Sequence, residues 1–167
     1  HKDSSGHEGV IESGGIQCKT AGRGIIHSEM PEHEDGLLSG FQLWINLPAS
    51  HKMTPASYQE FTADRLPVEQ REGCSIKVIT GETSKGTRAP VQQPLTEARY
   101  FDIQLETDAE YLESVPADHT LILYVVKGEV RVGSQSSSLN TGQLGVTTGG
   151  NTIRLHSTQP TQLLLMA

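Results

Sequence analysis

Cysteine is scarce. Cys18 and Cys74 are the only two, too few for a disulfide framework and without a spacing that suggests redox pairing. Each reads as a small core filler rather than a nucleophile. Basic residues are outnumbered, 13 Lys+Arg against 20 Asp+Glu, and a net charge of −7 argues against phosphate-backbone binding, which rests on clustered cations. No nucleic-acid partner is therefore expected. Long apolar runs are missing too: the longest, Leu121 to Val126, falls far short of the roughly 18 residues that span a bilayer, so no membrane partner is expected. The start shows no signal-peptide pattern. None of Asn46, Asn140 and Asn151 opens a glycosylation sequon, because Pro48, Gly142 and Ile153 stand two residues on. These absences together read as a reduced intracellular compartment, the cytoplasm, or the nucleus in a eukaryote. An initiator Met is also absent, and the chain stops at Ala167 directly after Leu163-Leu164-Leu165-Met166. A domain seldom ends inside a buried strand, so the expectation is a piece of a longer protein, cut at both ends.

Helical periodicity is lacking as well: no window of ten or more residues sustains a 3.6-residue repeat. Instead, 17 glycines and 8 prolines punctuate short apolar runs, the pattern of many strands and few helices. Strands are expected at Ile25–Met30, Phe41–Leu47, Cys74–Ile79 and Tyr100–Leu105. Further ones are expected at Leu121–Val126 and Glu129–Val132, joined at Lys127-Gly128 as a tight hairpin, and at Leu144–Val146, Thr152–His156 and Gln162–Met166. Residues 49–74 read as a connector with one helical turn near Thr62–Arg65, and 80–94 as a long exposed loop. The fold class is all-β, a sandwich or jelly roll, with a boundary near residues 48–75.

The strongest local cluster is Thr20-Ala21-Gly22-Arg23-Gly24-Ile25-Ile26-His27-Ser28-Glu29-Met30-Pro31. On an extended strand residues two apart share a face, so His27 and Glu29 project together while Ile26, Ser28 and Met30 face away. An imidazole beside a carboxylate makes two corners of a first-row metal site, non-haem Fe(II) above all. On this spacing alone an ordinary surface His–Glu pair is the commoner reading, because a metal needs at least three ligands. The flanking glycines let the backbone turn before the strand. Other patterns fail. Gly22-Arg23-Gly24 lacks a third glycine, His33-Glu34 lacks the second histidine of a zincin helix, and Ser134 to Ser138 is a loop-like serine run without a nucleophile elbow. His1, His7 and Asp3 could add ligands, although a frayed terminus is the commoner home for them. His33, His51, His119 and His156 have no ligand-spaced partner.

Gly15-Ile16-Gln17, the cluster from Thr20 to Pro31, Gly40-Phe41-Gln42-Leu43-Trp44-Ile45-Asn46-Leu47-Pro48 and Tyr58-Gln59-Glu60 together resemble the pirin-like proteins of the cupin superfamily. The likeness is weaker beyond Ile76, where Val78-Ile79-Thr80-Gly81 and Val125 to Val130 fit without a diagnostic motif. The resemblance implies a bicupin of two β-barrels, here truncated at both ends: residues 1–60 as the remainder of an N-terminal metal-binding cupin, and 61–167 as a C-terminal cupin without metal ligands. It implies one iron, or another divalent first-row metal, held by three histidines and a glutamate. His27 and Glu29 match one pair of these, and the other pair has no counterpart from His1 onward. Relatives usually carry Trp-Met where this chain has Cys18-Lys19, which exchanges a large apolar group near the metal strand for a thiol and a cation.

The activities the resemblance implies are of two kinds. One is a flavonol (quercetin) 2,3-dioxygenase, with Glu29 as ligand or, if displaced, as the base that takes the substrate proton, and with Gln42, Trp44 and Asn46 lining the pocket. The other is a non-catalytic, iron-dependent regulatory protein whose partner is another protein rather than a small molecule. A third reading is a metal-free remnant, since His27 and Glu29 supply only two ligands.

Overall fold

The structure, a computed structural model, describes residues 1–3, 6, 8–32, 36–134, 137–147 and 149–167. Among these residues the regular elements are strands and two short 3-10 turns, Ala49–His51 and Ala63–Arg65, and the chain is all-β as its turn-rich pattern requires. None of the described helices is long and apolar enough to cross a membrane. His7 and His33 lie outside the described residues, as does part of the serine run. The chain divides into two compact units, His1–Ala63 with Pro94–Thr96, and Asp64–Gln93 with Glu97–Ala167.

The first unit holds β1 (Lys2–Asp3), β2 (Ile16–Thr20), β3 (His27–Ser28) and β4 (Ser57–Phe61). They form two antiparallel pairs, β1 with β3 and β2 with β4. The strand expected over Ile25–Met30 contracts to His27–Ser28. That expected over Phe41–Leu47 does not form: the segment has no ladder partner among the described residues. Alternation selects a strand only when one parity has a core to enter. Here Phe41, Ile45 and Trp44, from both parities, are all exposed.

The second unit holds β5 (Val68–Arg71), β6 (Cys74–Thr80), β7 (Tyr100–Leu105), β8 (Glu110–Ser114), β9 (Leu121–Lys127), β10 (Glu129–Val132), β11 (Ser137–Asn140), β12 (Leu144–Thr147), β13 (Thr152–Ser157) and β14 (Thr161–Met166). A six-stranded antiparallel sheet runs in the order β12-β9-β14-β7-β6-β5, and a four-stranded one in the order β11-β10-β13-β8. Along β6 and β9 every second side chain is buried, the period-two signature of a sheet with one face inward. Ile76, Val78, Phe101, Ile103, Leu123, Val125, Leu163 and Leu165 of the larger sheet meet Tyr111, Val130, Ile153 and Leu155 of the smaller in one core. Each fully buried aliphatic or Phe side chain contributes roughly 1.5–3 kcal/mol.

Two expectations are corrected in this unit. β9 and β10 are not a hairpin: β9 pairs with β12 and β14, β10 with β11 and β13. The chain changes sheets at Gly128, whose φ is +94° and whose missing Cβ would lie 2.5 Å from Thr161 Oγ1 and 2.6 Å from the Pro160 carbonyl oxygen. Only glycine combines that dihedral with so close an approach. Nor are residues 49–74 merely a connector, since β5 of this unit and β4 of the first both lie within them. Neither strand carries a clear sequence signal, because Ser57-Tyr58-Gln59-Glu60-Phe61 and Val68-Glu69-Gln70-Arg71 are mostly polar.

Candidate functional site

β2 ends at Thr20, and the chain turns before β3 through Ala21 to Gly24. Gly24 N–H donates to the Ala21 carbonyl at 3.0 Å and Arg23 N–H to the Thr54 carbonyl at 3.0 Å. Gly22 has φ +53°, and a Cβ there would overlap the Thr54 carbonyl oxygen. The sharp turn expected from the flanking glycines is thus built on contact with residue 54. It delivers His27 to a ladder with β1, where His27 stands opposite Asp3.

His27 and Glu29 share a side, with His27 Nε2 3.7 Å from Glu29 Oε1. The same oxygen accepts a hydrogen bond from Lys19 Nζ at 3.0 Å. Lys19 is a β2 residue paired with Tyr58 of β4, and its ammonium lies 5.6 Å from the centre of that ring. The Lys19 side chain is only 14% exposed, against 33% for His27 and 48% for Glu29. The hydrogen bond from Lys19 holds the Glu29 carboxyl below its ordinary value of 4.5, outweighing the opposite effect of partial burial.

As donors to a divalent first-row ion, imidazole nitrogen and carboxylate oxygen are apt, and their separation lets them serve as two corners of one site. Among the described residues no group of three or more His, Cys, Asp or Glu side chains is placed to hold a metal ion, so His27 and Glu29 supply two donors and not a complete set. His1 is not frayed. Its side chain is 3% exposed, stacked on Tyr58 with ring centres 5.9 Å apart, and its Nε2 lies 3.3 Å from Glu60 Oε1. The Gln17 amide donates to Glu60 Oε1 at 2.7 Å. His51 is exposed and lies 2.9 Å from Ser50 Oγ. Gln42, Trp44 and Asn46 stand exposed on the irregular segment after residue 40, and Asn46 Oδ1 accepts from Lys52 Nζ at 2.6 Å. The sequence marks Lys19 only as a cation near the metal strand; its approach to Glu29 comes from tertiary folding rather than from spacing.

A second polar cluster lies in the other unit. Arg71 Nε donates to Glu69 Oε1 at 2.5 Å, Nη2 to Glu113 Oε2 at 2.7 Å, and Nη1 to the Leu112 carbonyl at 2.7 Å. Tyr111 OH donates to Glu113 Oε2 at 3.1 Å, and the Ser84 N–H donates to Glu113 Oε1. Thr83 Oγ1 donates to Glu69 Oε2 at 2.5 Å. Burial pushes the Glu69 carboxyl up, but hydrogen bonds from Thr83, Thr87 and Arg71 outweigh it and leave it below the ordinary 4.5. Burial, reinforced by the Glu113 charge, drives the Tyr111 phenol far above its ordinary value. The cluster ties the 83–84 turn to β5 and β8.

Comparison with known proteins follows this division. The family model for pirin matches residues 1–45, and that for the pirin C-terminal cupin domain matches residues 100–167. A pirin-like protein from Caulobacter vibrioides is 44% identical over all of this chain, and Pirin-1 from Arabidopsis thaliana is 42% identical over 83% of it. The chain spans 60% of the Caulobacter protein's length and 47% of the Arabidopsis protein's. A solved structure from Geobacillus kaustophilus matches 99% of this chain, and 67% of its own, with a TM-score of 0.85 at 28% identity. A solved quercetin 2,3-dioxygenase from Acinetobacter baumannii matches 99% of this chain, and 59% of its own, with a TM-score of 0.80 at 26% identity. Since the two pirin models match in chain order and pirin-like sequences align over its full length, this all-β cupin chain belongs to the pirin family.

Proposed function

We propose that the protein is a metal-dependent dioxygenase of the quercetin 2,3-dioxygenase kind, acting on a flavonol-like small molecule, with His27 and Glu29 as two ligands of an Fe(II) or another divalent first-row ion. The observation that carries this reading is the convergence of His27 Nε2 and Glu29 Oε1, 3.7 Å apart, in a chain whose fold matches a solved quercetin 2,3-dioxygenase. When bound, such an ion supplies Lewis acidity and open coordination positions. The remaining ligands come from outside the described residues. Of the two roles open to Glu29, the ligand role suits it better: a carboxyl held below its ordinary value stays ionised and is a weaker base toward a substrate hydroxyl. The exposed Trp44 ring, with Gln42 and Asn46 on the same segment, would offer a flat apolar surface to an aromatic substrate.

The test is quercetin consumption and O₂ uptake by the full-length, Fe(II)-loaded protein. Turnover that disappears in His27→Ala and Glu29→Ala is the expected result, and no turnover by the loaded wild type refutes the reading. A second reading, a non-catalytic iron-dependent protein that binds another protein, draws on the exposed apolar side chains Ile26, Met30, Leu37 and Trp44. Partner capture that is indifferent to the iron oxidation state would count against it.

A further inference from the structure

We propose that Lys19 is a resident competitor for the metal site, a positioning residue whose ammonium occupies the Glu29 oxygen that an incoming ion needs. The inference rests on the reading of His27 and Glu29 as ligands.

Three observations hold the ammonium in that place. The β2–β4 ladder sets Lys19 directly opposite Tyr58, and the ammonium rests over the Tyr58 ring at 5.6 Å. The side chain is 14% exposed, so most of its stem is enclosed. Its Nζ lies 3.0 Å from Glu29 Oε1, the oxygen that also faces His27 Nε2 at 3.7 Å. One carboxylate oxygen is therefore shared between a fixed organic cation and the place of an inorganic one.

A first-row ion bound to Oε1 would lie about 2.0–2.2 Å from that oxygen. It would then be no more than about 5 Å from the Lys19 nitrogen. At that separation a doubly charged ion and an ammonium repel enough, even with the dielectric constant of water, to weaken binding roughly tenfold, and more where the surroundings exclude water. Metal entry thus requires Lys19 to be displaced from Glu29 or to be tolerated beside the ion. Either way the site is set for weaker, more exchangeable binding than the same ligands would give beside a neutral residue. In the absence of metal, the ammonium keeps the Glu29 charge compensated and its carboxylate aimed at His27.

The experiment is a Co(II) titration of the full-length protein, followed by visible absorption and by competition with a chelator, for wild type, K19M, K19Q and K19R. K19M and K19Q are expected to bind Co(II) at least about tenfold more tightly, and K19R, which keeps the charge, to bind as the wild type does. In a Glu29→Gln background the K19M gain should vanish. Should K19M fail to fold by far-UV circular dichroism, K19Q carries the test. Wild-type protein that binds Co(II) while the neutral variants bind no tighter overturns the competitor role and leaves the ligand reading intact. Absence of Co(II) binding by every folded variant overturns the ligand reading itself, and the competitor role with it.

Discussion

Arg71→Met removes the cation that stands between two enclosed carboxylates. The Glu113 side chain is fully buried and that of Glu69 is 9% exposed, while the Arg71 side chain is 8% exposed and donates to both at 2.5 and 2.7 Å. Methionine fills much of the arginine stem, so the loss is electrostatic more than one of volume. Removing one partner of a buried ion pair typically costs about 3–5 kcal/mol, chiefly because the remaining charge is left uncompensated. Glu113 keeps donors in Tyr111 and Ser84, and Glu69 keeps Thr83, which places the expected loss near the lower end, about 3 kcal/mol. Domains have only about 5–15 kcal/mol in all. With a urea slope of about 2 kcal/mol/M, the midpoint falls by about 1.5 M. Urea unfolding followed by far-UV circular dichroism measures it. Adding Glu113→Gln should restore part of the loss, because the neutral amide can still bond Tyr111 and Ser84 without stranding a charge. A loss under about 1 kcal/mol for Arg71→Met would mean that water or rearrangement replaces the guanidinium, and would refute the account of the cluster as a desolvated ion network.

The same cluster gives a pH dependence. A carboxyl whose folded value is lowered contributes stability above its unfolded value and loses it as pH falls through the folded one, so Glu69 should make the protein acid-sensitive below about pH 4.5. Glu69→Gln is expected to flatten the fall of Tm with acid; an unchanged slope would exclude Glu69 as the source. At the turn before His27, Gly22→Ala should cost about 1–3 kcal/mol, because it forces a side chain into a positive φ against the Thr54 carbonyl. Hydrogen exchange at the Arg23 amide, which bonds that carbonyl, should quicken, and an unaltered rate would show that the turn does not depend on glycine.

What was legible in the sequence followed the burial of apolar side chains. β6, β7, β9, β13 and β14 were all expected, because Ile76, Phe101, Leu123, Leu155 and Leu163 recur at every second position and enter one core. β8 has no such signal, because one of its inward positions is Glu113, whose charge is met by Arg71, distant in sequence. Phe41–Leu47 misled in the opposite way, since its alternation has no core to face. At the site, the two-residue spacing of His27 and Glu29 was enough to bring them together on one side. Spacing does not reveal the Lys19 contact, which joins the β2–β4 ladder to the residue just after β3, nor does it show that His1 packs on Tyr58.

The path of the chain through its two units bears on how the second can be made. Residues 64–93 supply β5 and β6, the chain then contributes Pro94–Thr96 to the other unit, and only afterwards do β7 and the remaining strands follow. A protein begun at residue 100, where the matched C-terminal cupin model starts, would carry a recognisable domain yet lack the neighbour of β7. The open backbone edge of Tyr100–Leu105 would invite pairing with other molecules, so such a shortened product should precipitate where one begun at residue 64 stays dispersed.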